Sequence, residues 1–234
     1  MWWQFNEIWP TGGWGTIEYG TPGAGQVLGG RWKPMQYWYK RSVYADVMAS
    51  CGVQTGGGGV CYVKNDGHTA FSGQLNITTL DFKTGTETLL VSKPLHLAAG
   101  PGITQWLPLE MPTGYAALTQ IMRAVVVAGD GTLASDNVIP LSRPADMAIE
   151  NATVAFSVAS APNADGSVDV AVHSDHVAVF VTLTTRAHGR FSDNAFLLLP
   201  SAPLTLQFVP FGEAALDMAT LKSSLRVEHL ASYV

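Results

Sequence analysis

The stretch Ser167-Val168-Asp169-Val170-Ala171-Val172-His173-Ser174 decides the fold class. Valines recur at every second position, and a period of two marks a strand with one buried face. Immediately before it stands Asn163-Ala164-Asp165-Gly166, a hairpin turn whose glycine suits a position that needs positive φ. Just after it a second apolar run, Ala178–Thr185, reads as the next strand.

Working outward, the same pattern holds from about Tyr44 onward. Upstream strands are expected at Val43–Ala49, Val60–Lys64, Ser72–Asp81, Glu87–Val91, Gln105–Leu109 and Ile121–Ala128. Further strands are expected at Ala152–Ala159, Ala195–Leu199, Leu204–Val209 and Ser224–His229. Asn65-Asp66-Gly67, Lys83-Thr84-Gly85, Gly100-Pro101-Gly102 and Gly129-Asp130-Gly131 supply turns between them. Turn signals every ~8–12 residues are the spacing of a β-sandwich. The pattern predicts a mainly β fold with two immunoglobulin-like sandwiches, residues 44–143 and 144–234, joined near Pro140-Leu141-Ser142-Arg143-Pro144. Helical spacing after residue 44 is confined to Gly114–Leu118 and Ala214–Leu221, about one turn each.

The N-terminal stretch differs in character. Six of the seven tryptophans lie at or before Trp38, among Pro10, Gly12, Gly13, Gly15 and the run Gly20–Gly25. This reads as one short strand, Met1–Phe5, a long loop, and a helix over Lys33–Val43 with Pro34 in its first turn.

Composition excludes several functions. A chain that is 47% hydrophobic has ample material for a core, so wholesale disorder is not expected. With 13 Lys+Arg spread thinly and a formal net charge of −5, no electrostatic footprint for nucleic acid exists. No apolar run approaches the ~18 residues of a membrane span. Met1-Trp2-Trp3-Gln4-Phe5-Asn6-Glu7 has neither the basic start nor the cleavage site of a signal peptide. Cys51 and Cys61 flank Gly56–Gly59, and either a bridge across a turn or two buried thiols fits that spacing. The sequons Asn76-Ile77-Thr78 and Asn151-Ala152-Thr153 matter only in a secretory pathway. His173, His176 and His188 do not form a metal set, because the first two fall on opposite faces of a strand. Gly56–Gly59 lacks the Lys-Ser/Thr ending of a phosphate loop.

Two motifs carry a family resemblance. The first is Trp3-Gln4-Phe5-Asn6-Glu7-Ile8-Trp9-Pro10, followed by Trp14 and by Arg31-Trp32-Lys33-Pro34-Met35-Gln36-Tyr37. It resembles the β-mannosidase branch of glycoside hydrolase family 2. There the eighth strand of the (β/α)8 barrel reads W-Q-x-N-D-x-W-P and the last helix opens G-[RK]-W-K-P-x-x-Y. Glu7 departs from the usual Asp, and Gly20–Gly29 lengthens the loop. The second motif runs from His188 to Pro200 and is similar to the G-R-F-S-D-N-x-F-x-L-x-P signature of the C-terminal immunoglobulin-like domain of mannosidases.

The resemblance implies that residues 1–43 are the last strand and helix of a catalytic barrel. Active sites in such barrels lie at the C-terminal ends of the strands. Trp3 is then expected to stack on the sugar, with Asn6 and Trp9 at the pocket mouth. Trp2, Trp9, Trp14 and Trp32 also suit packing of the barrel end against the next domain. Retaining glycosidases need two carboxylates ~5–5.5 Å apart. In the family these sit on barrel strands four and seven, so no catalytic residue is expected in this chain, and Glu7 is read as a hydrogen-bond or ion-pair partner. Arg190 to Asn194 is read as a structural turn, with Arg190 pairing to Asp193 or to the other sandwich.

The expected function is the C-terminal part of a retaining exo-β-mannosidase acting on β-mannoside oligosaccharides or glycoprotein glycans, with no cofactor and no metal. Exo-β-glucosaminidase is the alternative within the enzyme class. A non-catalytic tandem sandwich that binds carbohydrate or protein is the alternative outside it. A chain beginning inside a barrel element reads as a truncation or split gene product.

Overall fold

The computed structural model describes Gly15, Ile17, Glu18 and residues 31–54, 58–211 and 216–234. These residues form a mainly β structure. Among them no helix is long and apolar enough to cross a membrane. They divide into two compact units, Tyr39–Glu150 and Asn151–Tyr233, the second together with the described residues up to Trp38.

β1 (Ile17–Glu18) pairs antiparallel with β2 (Arg31–Trp32). The helix α1 follows at Pro34–Arg41. Pro34 stands where an N–H has no partner to lose, and Lys40 and Arg41 face the negative end of the helix dipole. The helix ends two residues before the expected Val43. Tyr44 N donates to Tyr39 O at 2.9 Å and Ala45 N to Ser42 O at 3.2 Å, so the chain turns there and the first sandwich strand starts at Val47.

The first sandwich comprises β3 (Val47–Val53), β4 (Gly58–Asn65), β5 (Phe71–Asp81), β6 (Glu87–Leu97), β7 (Ile103–Glu110), β8 (Gln120–Ala128) and β9 (Leu133–Pro140). Its sheets run β3-β4-β7 and β6-β5-β8-β9, antiparallel throughout. Ala49, Val63, Leu107 and Leu109 from one sheet meet Leu75, Ile77, Leu95, Met122 and Val126 from the other. Seven strands closed around one core give an immunoglobulin-like sandwich. Cys51 and Cys61 face each other across β3 and β4 with Cα atoms 3.9 Å apart. Of the two alternatives the structure has the bridge, a disulfide buried in this core. β9 was not among the expected strands.

The second sandwich comprises β10 (Val154–Val158), β11 (Val168–Ser174), β12 (Ala178–Thr184), β13 (Gly189–Phe191), β14 (Phe196–Leu198), β15 (Leu204–Pro210), the helix α2 (Met218–Ser224) and β16 (Arg226–Glu228). The sheets are β10-β11-β15-β13 and β14-β12-β16. In β11 the valines at 168, 170 and 172 point inward, as their period requires. α2 runs two turns rather than the expected one, because Asp217 caps it: Oδ1 accepts from Thr220 N at 2.9 Å. It also takes up Ser224, so the last strand begins at Arg226. β13 lies outside the expected strands, because three residues are too few to show a period.

The turn glycines Gly85, Gly131 and Gly166 have positive φ of 67°, 88° and 81°. Gly67 does not need it: Asn65 Oδ1 accepts its N–H at 3.0 Å, and that side-chain bond closes the turn.

Candidate functional site

Two segments 154 residues apart in sequence meet at one point. β2 brings Trp32 and the first turns of α1 bring Tyr37, while β13 and the turn after it bring Gly189 to Asn194. Tyr37 is 3% exposed and belongs to the core of the second sandwich. Its hydroxyl accepts the Phe191 N–H at 3.1 Å. Burial pushes the phenol up to about 12, against smaller opposing effects from the Phe191 hydrogen bond and the Arg190 charge.

Trp32 lies 5.3 Å from Tyr37, ring centroid to centroid, and the Arg190 guanidinium stands 5.0 Å over the Trp32 ring. That is a cation–π contact. Phe191 meets Phe208 edge-to-face at 5.2 Å. Beside them Gly189 is obligatory for space, since a Cβ there would lie 2.4 Å from the Phe208 ring and 2.6 Å from Val209 O. Asn194 is 3% exposed and ties the turn to β12. Its Oδ1 accepts from Leu183 N at 2.8 Å and Ala195 N at 3.1 Å, and its Nδ2 donates to Leu183 O at 2.8 Å. Asp193 Oδ1 accepts the Asn194 N–H at 2.8 Å. Arg190 thus stacks on Trp32, a contact the sequence reading did not foresee.

The cavity left among Trp32, Tyr37, Leu183, Phe191 and Asn194 is about 40 Å³. It admits water and is too small for a hexose ring. This joint holds the fold.

Asp66, Asp81, Asp130, Asp165, Asp175 and Asp217 serve turns, a helix cap and ion pairs. Asp66, Asp81, Asp130, Asp165 and Asp217 are all held below the usual carboxylate range, chiefly by hydrogen bonds from nearby side chains or backbone N–H groups. Asp175 is lowered to about 2 by His176 and by the Thr153 N–H. A glycosidase acid needs the opposite shift. Arg123 bridges Asp136 and Glu87 on the outer face of the first sandwich, with Nε and Nη1 bonds of 2.8 Å. His173 is exposed on β11, and His176 pairs with Asp175 at 3.0 Å. Among the described residues no cluster of three or more His, Cys, Asp or Glu stands close enough for a metal ion. Trp3, Asn6 and Trp9, the residues expected to contact sugar, lie outside the described residues, as do Glu7, Trp2 and Trp14.

Residues 149–233 match the Ig-fold domain family Ig_mannosidase. That match contains the Arg190–Asn194 turn and all of β10 to β16. Over 97% of its length the chain is similar to the β-D-mannosidase of Dictyoglomus thermophilum, with 19% identity, a TM-score of 0.70 and 25% of that chain covered. It is also similar to the exo-chitosanase of Amycolatopsis orientalis, with 16% identity, a TM-score of 0.61, 97% of this chain and 29% of that one covered. At these identities the likeness is one of fold. The chain spans between a quarter and a third of the length of these two solved proteins. No curated protein matches the chain in sequence.

Proposed function

We propose that this chain is the C-terminal part of a retaining exo-β-mannosidase of glycoside hydrolase family 2, which releases terminal β-mannose from the non-reducing ends of oligosaccharides or glycoprotein glycans. The observation that carries this reading is the joint itself. Trp32 and Tyr37, from the motif that resembles the end of a mannosidase barrel, interlock with the Gly189–Asn194 turn of the domain that matches the mannosidase Ig-fold family. In this reading residues 1–43 close the barrel, 44–143 and 144–234 are accessory sandwiches, Trp3 stacks on the sugar, and Asn6 and Trp9 line the pocket mouth. The nucleophile and the acid belong to barrel strands upstream. The likeness to an exo-chitosanase over the same 97% of the chain supports a second reading, exo-β-glucosaminidase, with the same architecture and a different sugar.

The test has two arms. The purified chain is assayed with p-nitrophenyl β-mannoside and p-nitrophenyl β-glucosaminide, and is expected to turn over neither, because double displacement needs both carboxylates. The reading frame 5′ of Met1, expressed together with the chain, is expected to hydrolyse the mannoside. Turnover by the chain alone that vanishes in Glu7→Gln would sink the assignment. Preference of the longer protein for the glucosaminide would replace the first reading by the second.

A further inference from the structure

We propose that the outer face of the β3-β4-β7 sheet, centred on Trp106 and Tyr62, binds a neutral hexose chain by ring stacking. The proposal goes beyond the reading above, since it needs no barrel strand and concerns a different sandwich.

Tyr62 on β4 and Trp106 on β7 are directly opposed in the ladder, so both side chains stand on one face. Their ring centroids are 5.4 Å apart, tilted by 47°. Trp106 is 64% exposed. Its neighbours continue the surface: Val60, 40% exposed, opposes Pro108, which is also exposed. Gly52 and Gly58 add no side chain, and the space above both is open. The result is a shallow aromatic and aliphatic floor.

Size and charge select the occupant. One exposed Trp with part of a Tyr, a Val and a Pro amounts to on the order of 300 Å² of apolar surface. A stable protein contact needs ~800 Å² per partner, so the floor is too small to hold a second protein by itself. The cation on this face is already committed: Lys64 Nζ donates to Val43 O at 2.9 Å and pairs with Asp66. An anionic ligand therefore finds no free counter-ion at the centre, and Glu110, which the register puts on the same face opposite Gly58, stands four residues along β7 from Trp106, at the edge of the floor. A pyranose ring satisfies what remains. Its C–H face lies on the indole, and its hydroxyls reach the Trp106 N–H, the Tyr62 hydroxyl and the hydroxyls of Ser50 and Thr104, which the strand register places on the same face.

The test is calorimetric titration of the purified full chain with β-linked mannohexaose and with cellohexaose. Wild type is expected to bind at least one of them. Trp106→Ala is expected to weaken that binding about tenfold or more while leaving the melting temperature unchanged, because the side chain is exposed. Trp106→Phe is expected to retain part of it. Three results overturn the proposal: no binding of either oligosaccharide by wild type at millimolar concentration; equal binding by Trp106→Ala; or self-association of wild type that Trp106→Ala abolishes, which makes the face a protein contact. None of these outcomes touches the hydrolysis assay, so the two readings fail independently.

Discussion

Asn194 serves three backbone groups at once. Its amide presents an acceptor to Leu183 N and Ala195 N and a donor to Leu183 O, all within a buried site. Asn194→Ala leaves those backbone groups unpaired, and each such loss costs about 1–3 kcal/mol. The variant is expected to lower the urea midpoint of the second sandwich and leave that of the first unchanged. An unaltered second transition would show that the amide is dispensable. Tyr37 gives a pH signature at the same place. Its phenol, raised from an unfolded value of about 10 to about 12, holds its proton more tightly when folded. The stability this contributes is therefore whole below pH ~10 and is lost as pH rises through ~12, on the order of 2–3 kcal/mol. Denaturation midpoints measured across that range should fall for wild type and fall less for Tyr37→Phe. At neutral pH the same variant should be weaker by about 1–2 kcal/mol, because Phe191 N–H loses its acceptor. The turn was legible in the sequence as a structural motif from its Asp-Asn pair. Its partners were not, because nothing in the local spelling of residues 188–200 specifies an aromatic ring 154 positions upstream.

At the scale of elements, alternation reveals most strands; β13 is too short to show it, and β9 is the more instructive exception. β9 carries Ser135 and Asn137 on its buried side, so polar residues occupy the places where a period of two should show apolar ones. Asn137 makes this tolerable by donating from Nδ2 to Ala49 O at 3.0 Å. A strand that turns amides inward is invisible to a hydrophobic pattern, and Pro140 at its end reinforced the reading as a linker. The β3–β4 hairpin is visible as strands, but its bridge stays one of two alternatives in the sequence, since cysteine spacing alone does not fix register. With Cys51 and Cys61 cross-strand and ten residues apart, the bridge closes a short loop. The chain-entropy model assigns such a loop roughly 2–3 kcal/mol. Cys51→Ala with Cys61→Ala is expected to lower the melting temperature of the first sandwich by about 8–24 °C, at ~4–8 °C per kcal/mol for a domain of this size. Wild type under reductant should shift alike. If calorimetry finds neither shift, the disulfide does not stabilise the sandwich.

The whole molecule is not a simple string of units. Tyr39–Glu150 is continuous, whereas the second unit draws on described residues on both sides of it, up to Trp38 and from Asn151. The consequence is an asymmetric dependence on the N-terminal segment. The first sandwich fills its core with its own strands. The second counts Tyr37 among its buried core residues and has Trp32 packed on them. Deleting residues 31–38 therefore removes core from a sandwich whose strands begin more than a hundred residues later, and truncating a buried aromatic costs about 3–5 kcal/mol in comparable cores. The comparison to make is residues 31–234 against residues 39–234, followed by amide hydrogen exchange. In the shorter protein, protection is expected to drop across β12 and β13, whose Leu183, Gly189 and Phe191 line the vacated space. Protection in β5 and β8 should be retained. Uniform loss across both sandwiches would mean that the first also leans on the deleted segment, and unchanged protection in β12 would mean that Tyr37 is a passenger on the second core rather than part of it.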